Sequence, residues 1–374
     1  MKYDKFFSAD VPSFMRSPVR EIFKKVDLAA IYSFAGGYPD AATFPIEDIR
    51  RISAQVLEKY GPKALQYGAT QGVPELREVV ARRYGVPVEN VQITTSSQQG
   101  IDVCTRVFVN PGDVVLTTAP TYLGALQSFK SYRADVRTLD DFDFSKPVKL
   151  CYVIPDFQNP SGETMTLEER QKLVALARER DFLIVEDSPY RELRYSGEPV
   201  PTIYSLAPER TLHLGSFSKI FAPGFRLGWM LGPVELLDQI YVCKQSLDLC
   251  PPILDQYMAA EFMGSGALDA NLQKSIALYR AKRDKMLALL EQYMPQGVSW
   301  THPEGGLFLF LTLPEGFDSV ALYDRALSAG VAYVAGSFFY PDGSHRNTMR
   351  LNFSFLDASR MEAGIKLLAE VINK

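Results

Sequence analysis

A chain of 374 residues is longer than one hydrophobic core usually organises, so two domains are expected. Its 40 Lys and Arg against 44 Asp and Glu leave a net charge of −4, without the basic excess that nucleic acid requires. No apolar run reaches the roughly 18 residues of a membrane span, and residues 1–5 lack the apolar centre of a signal peptide. Cys104, Cys151, Cys243 and Cys250 show no Cys-x-x-Cys spacing, so a cytoplasmic protein with reduced thiols is expected. His213, His302 and His345 are scattered; no metal site is expected, and His213, inside an apolar run, reads as a core histidine.

In chain order, short runs rich in β-branched and aromatic residues at 91–95, 114–118, 149–154, 182–186, 211–214 and 227–231 predict buried strands. Between the third and fourth, residues 167–180 carry leucines and alanines at helical spacing behind Thr166, with Glu169 placed to complete a capping box. This alternation predicts an α/β fold, a mostly parallel sheet flanked by helices. Functional loops then lie beyond the carboxyl ends of the strands. Polar segments do follow them: Ser96 to Gln99, Ala119 to Tyr122, Pro155 to Asn159, Asp187 to Tyr190, and Ser216 to Lys219. Past the glycines at 264 and 266, a long helix over 268–293 leads to strands at 306–311 and 349–353 and a helix at 319–329, a smaller α/β domain. The boundary near residue 265 gives a large domain over 46–265 and a small one over 266–374.

The fifth polar segment is the most informative. Residues 214–228 set Lys219 among two hydroxyls, two glycines that flank Arg226 and Arg226 itself. A lysine that bonds a carbonyl must be partly deprotonated, and the charge of Arg226 lowers its pKa in that direction. Ser216, Ser218 and Arg226 suit a phosphate, the arginine through its planar fork and the serines as short neutral donors. Together these residues describe a Schiff-base site for a phosphorylated aldehyde. Elsewhere, Arg350 lies in an apolar strand, where an arginine is costly unless it meets an anion. Asp187 ends another apolar strand, where it either caps a helix or serves a buried cation.

Ser-Phe-Ser-Lys at 216–219, followed by Pro-Gly-x-Arg-Leu-Gly at 223–228, resembles the pyridoxal 5'-phosphate motif of class I/II aminotransferases of fold type I. The resemblance runs from Ser33 to Leu351 and is strongest to the 2-aminoadipate and kynurenine aminotransferase branch. It implies transamination between an L-amino acid, of the 2-aminoadipate or aromatic type, and a 2-oxoacid such as 2-oxoglutarate. Lys219 is then both the Schiff-base partner and the proton carrier. The Asp-x-x-Tyr match puts Asp187 on the pyridine nitrogen and Tyr190 on the ring 3'-oxygen, where Asn159 of the Asn-Pro-x-Gly match also reaches. Ser97 and Gln98 open a helix whose N–H groups and dipole favour the phosphate, though a Ser N-cap is the plain alternative. The family usually has Gly where this chain has Ser96, which bears on the loop if a positive φ is required there.

By the same resemblance Tyr122 stacks on the pyridine ring, and Tyr67, in Tyr-x-x-Thr-x-Gly, reaches the phosphate of a partner subunit, implying a homodimer with shared active sites. Arg350 grips the substrate α-carboxylate, while Gly36 and Gly37 pass close to the substrate. Arg20, on an N-terminal segment over 1–45 that packs with the small domain, meets acidic side chains of the substrate. Two other readings use the same residues. A lyase acting at Cβ of its amino acid would release pyruvate and ammonia without an oxoacid, and a catalytically inactive sensing module would accompany a basic DNA-binding domain.

Overall fold

The structure, a computed structural model, describes residues 3–15 and 30–373. A short strand β1 (Tyr32–Ser33) precedes helices α1 (Ile46–Ala64) and α2 (Pro74–Tyr84). Strand and helix then alternate: β2 (Val91–Thr94), α3 (Ser96–Phe108), β3 (Val114–Thr117), α4 (Leu123–Ser131), β4 (Asp135–Thr138) and β5 (Val148–Val153). They continue through α5 (Leu167–Arg180), β6 (Leu183–Asp187), α6 (Ile203–Leu206), β7 (Thr211–Ser216) and β8 (Gly228–Leu231). α5 begins as its sequence requires: the Thr166 side chain accepts from Glu169 N and the Glu169 carboxylate accepts from Thr166 N.

The seven strands order as β2-β8-β7-β6-β5-β3-β4. Every pair among β3 to β7 is parallel, and β8 runs antiparallel to both β7 and β2. β2 therefore points the same way as β7, and the carboxyl ends of β2, β3, β5, β6 and β7 share one rim. Both faces are covered. On one, Val115, Tyr152, Val185 and Leu214 pack with Ile101 and Phe129; on the other, Leu116, Cys151, Val153 and Ile184 pack with Leu173 and Ala177 of α5. The one strand of this sheet missed by the sequence reading is β4, an edge strand whose residues stay half-buried or exposed and so leave no apolar run.

α7 (Val234–Gln245) and α8 (Ile253–Gly264) lead to α9 (Ala267–Tyr293), with Gly266 at φ 81° between the last two. The remaining elements are β9 (Ser299–Trp300), β10 (Phe308–Thr312), α10 (Ser319–Ser328), β11 (Val331–Ala332), β12 (Val334–Ala335), β13 (Thr348–Asn352) and α11 (Ala358–Asn373). They form an antiparallel sheet in the order β12-β13-β10-β9, while β1 pairs with β11. Among the described residues no helix is long and apolar enough to cross a membrane.

Candidate active site

Register brings the rim together. Thr94 pairs with Gly228, which pairs with Ser216, so the ends of β2 and β7 flank the start of β8. A Cβ on Gly228 would lie 2.6 Å from Gly215 O and 2.9 Å from Ser96 C, so only glycine lets these three backbones approach. Ser96 itself has φ 68°, the left-handed conformation that the sequence reading associated with glycine, adopted here by serine. Behind it, Thr95 Oγ1 and Gln99 Nε2 donate to Asp248 Oδ2 at 2.8 and 2.5 Å, and buried Lys244 Nζ donates to Gln99 Oε1 at 2.7 Å and Asp248 Oδ1 at 3.0 Å. The N-cap of α3 is Thr95, not Ser97, and it makes no side-chain cap bond.

Lys219 follows β7 and its half-buried side chain donates from Nζ to Gly37 O at 2.8 Å. Its pKa is pushed down from 10.5 to about 8, first by burial, then by the charge of Arg350 and then by that of Arg226. This corrects the emphasis of the sequence reading, in which Arg226 led. The Ser216 Oγ accepts from Ser218 N at 3.1 Å, while the buried Ser218 Oγ has no partner among the described residues. Arg226 is exposed in the single chain, at φ 52°, with Nη1 donating to Pro223 O at 3.3 Å.

Asp187 ends β6 and caps no helix. Tyr152 Oη donates to its Oδ2 at 2.8 Å, and Oδ1, also buried, has no partner among the described residues. Burial pushes this carboxyl up to about 6, against the opposing pull first of the Tyr152 hydrogen bond, then of His213 and the nearby Ser97 hydroxyl. His213 is a core residue as expected, its Nδ1 3.0 Å from Glu186 Oε2. Tyr190 is buried edge-on to Phe308, centroids 5.8 Å apart, and burial raises its phenol well above the usual range.

Arg350 enters from β13. It is buried, with Nη1 donating to Asn159 Oδ1 at 2.8 Å and Nη2 to Ala35 O at 2.5 Å, and its Cζ lies 4.2 Å from the Phe308 ring centre and 5.1 Å from that of Phe339. Its Nε has no partner, no carboxylate pairs with it among the described residues, and burial lowers its pKa to about 10. A buried guanidinium held only by neutral acceptors and ring faces is a receptor for an anion. Gly36 is buried beside this cluster, and a Cβ on Gly37 would lie 2.9 Å from Phe308 Cζ. Gln98 Nε2 donates to Gly124 O at 3.2 Å, and Gly124 leaves room for the half-buried Tyr122 ring, which a Cβ there would meet at 2.5 Å. Tyr67 stands apart, 80% exposed in the single chain, and Arg20 lies outside the described residues.

Five contributing residues escaped the sequence reading. Tyr152 looked like one more apolar strand residue, its only signal being a hydroxyl that must find a partner when buried. Phe308 and Phe339 frame Arg350 from parts of the chain with no motif of their own. The Lys244–Asp248 pair is visible only as an i,i+4 spacing, and nothing local joins it to Thr95 and Gln99, about 145 residues earlier.

Such a rim is equipped for amine chemistry on a carbonyl compound and for holding an acid beside it. Comparison with known proteins agrees. Residues 34–368 match the family aminotransferase class I and II. The chain is 44% identical to aromatic-amino-acid aminotransferase 1 of Thermococcus litoralis over all of this chain and 95% of that one. Among solved structures it is similar to Pyrococcus horikoshii kynurenine aminotransferase in complex with PMP, with TM-score 0.95 and 44% identity over 99% of this chain and 97% of that one. It is also similar to the α-aminoadipate aminotransferase of Thermus thermophilus complexed with N-(5'-phosphopyridoxyl)-L-leucine, with TM-score 0.94 and 34% identity over 100% and 98%. The chain belongs to the aminotransferase class I and II family, and its fold and chemistry are those of a fold type I, pyridoxal 5'-phosphate-dependent transaminase.

Proposed function

We propose that this aminotransferase exchanges the amino group between glutamate/2-oxoglutarate and 2-aminoadipate or an aromatic amino acid, and that the residues of the rim divide the work as follows. The single observation that carries the reading is Lys219, an amine whose pKa is pushed down to about 8, set near the buried guanidinium of Arg350, with which no carboxylate pairs among the described residues. The cofactor fits the groups present. Asp187 Oδ1 and Ser218 Oγ are buried without partners among the described residues, as a protonated ring nitrogen and a phosphate would require. When bound, pyridoxal 5'-phosphate supplies the electron-withdrawing ring that lets a proton leave the substrate α-carbon.

Lys219 would hold the cofactor through Nζ and carry the proton to and from the α-carbon, a task suited to an amine that is part neutral near pH 8. Asp187 would keep the ring nitrogen protonated, and Tyr190 and Asn159 would donate to the ring 3'-oxygen. Ser97, Gln98, Ser216, Ser218 and Arg226 would bind the phosphate, Ser97 and Gln98 from the first turn of α3, where free N–H groups gather. Tyr122 would stack on the ring. Arg350, with Asn159, would fix the α-carboxylate beside Gly36 and Gly37, and Arg20 would meet an acidic side chain.

A homodimer belongs to the same proposal: Tyr67, with its neighbour Leu65 at 70% exposure, would complete the phosphate site of a partner subunit. A division into 46–265 and 266–374 agrees with the separate seven-stranded and four-stranded sheets. The expected packing of 1–45 on the second part has support from β1, which pairs with β11; residues 3–15 lie instead against the first part, where Gln127 Nε2 donates to Met15 O at 3.1 Å, Ser13 Oγ to Ser131 O at 3.3 Å, and Arg133 pairs with Asp10 at 3.1 Å. A cytoplasmic setting agrees with four free thiols. The amino-acid partners rest on the names of the relatives. The test is a panel of amino donors with 2-oxoglutarate, read as glutamate formed. Turnover of 2-aminoadipate or aromatic donors is expected, whereas pyruvate and ammonia released without an oxoacid would replace this reading with a Cβ lyase.

A further inference from the structure

We infer that Tyr152 is a positioning residue for the cofactor: by donating to Asp187 Oδ2 it fixes the carboxylate so that Oδ1 alone is presented to the pyridine nitrogen. The inference rests on the assignment of Asp187 to that nitrogen. Sheet geometry puts the two side chains together. Tyr152 on β5 is in register with Val185 on β6, and Asp187, two residues further, lies on the same face as Val185. The phenol is fully buried among Ile101, Phe129 and Leu214, with the Phe129 ring edge-on at 5.7 Å, so the hydroxyl cannot turn to solvent. Among the described residues its hydroxyl bonds to Asp187, at 2.8 Å.

Each alternative role for Tyr152 meets an obstacle. Burial first, and then the Asp187 charge, hold its proton far above the usual phenol range, so it is a permanent donor and no acid or base. The same bond is the largest influence opposing the burial that pushes Asp187 up to about 6, so it sustains the negative charge that a ring N–H needs as acceptor. Without this donor the carboxylate loses its fixed orientation and the strongest of the influences that oppose burial, with His213 and Ser97 left as the weaker ones. Oδ1 would then no longer be a fixed anionic acceptor.

Tyr152→Phe removes the donor and keeps the ring. The apoenzyme of this variant should bind pyridoxal 5'-phosphate roughly tenfold more weakly, the effect of losing a hydrogen bond to a charged group. It should lower kcat while leaving KM for amino donors nearly unchanged. In an Asp187→Asn background the same substitution should add little, because the charge it serves is gone. Tyr152→His, which retains a ring N–H, should recover part of the binding and provides the test if the phenyl variant does not fold. Equal loss of cofactor affinity with and without the Asp187 charge would make Tyr152 merely structural and overturn the inference, as would unchanged affinity in Tyr152→Phe. Unchanged affinity and kinetics in Asp187→Asn alone would instead refute the underlying assignment of Asp187.

Discussion

The pKa of Lys219 can be read directly from how apoenzyme captures its cofactor. Only the neutral amine attacks an aldehyde, and a group with pKa about 8 is roughly 9% neutral at pH 7 and roughly 90% at pH 9. Capture of pyridoxal 5'-phosphate, followed by absorbance with Lys219→Ala as the blank, should therefore accelerate about tenfold over that interval and then level off. A lysine at its ordinary 10.5 would give about a hundredfold rise with no plateau below pH 10. Arg350→Met removes the second-largest cause of the depression, after burial, so its plateau should begin at higher pH. A continuing climb through pH 10 in the native protein would refute the reasoning. Linkage gives an independent check. The folded apoenzyme binds fewer protons at Lys219 than the unfolded chain between about pH 8 and 10.5, so this group's contribution to stability should rise with pH across that window.

Other outcomes follow from the same geometry. Arg350→Lys should raise KM for every amino donor together, by about 2–5 kcal/mol of carboxylate binding, since lysine cannot reproduce the fork; an effect confined to some donors would make Arg350 a reader of side chains. Gly228→Ala drives a methyl into backbone on two sides and should cost about 1–3 kcal/mol of stability, seen as a lowered Tm of the apoenzyme. An unchanged Tm would mean the loop at Ser96 moves freely. Arg20→Ala should weaken acidic substrates and spare aromatic ones, as expected of a cation that engages only acidic side chains; equal losses for both classes would remove it from the specificity pocket.

The six strands expected from apolar runs lie within two residues of those observed, because strands covered on both faces write burial into consecutive residues. β4 escaped because an edge strand carries Asp135 and Arg137 where a central one would carry valines. Motifs at strand ends located Lys219, Asp187, Asn159 and Ser97 because each sits where the chain leaves the sheet. The sequence could not reveal partnership between distant segments: that Arg350 would rest on Asn159, or that burial more than Arg226 would depress Lys219. These depend on tertiary placement, and desolvation has no local signature. Ser96 shows the opposite case: the sequence raised the question of a positive φ at this position, and serine adopts one, at 68°.

Lys219 and Arg350 share one circumstance: each is parked on a neutral oxygen, Gly37 O for the first and Asn159 Oδ1 and Ala35 O for the second. Long cationic side chains lose considerable rotamer freedom when a ligand immobilises them. Here that freedom has already been lost to the protein's own carbonyl and amide oxygens, so an arriving anion replaces a weaker acceptor without having to order the side chain. Asn159→Ala, by unmooring Arg350, should consequently make carboxylate binding entropically more costly, a difference that calorimetry with a non-reacting dicarboxylate can measure.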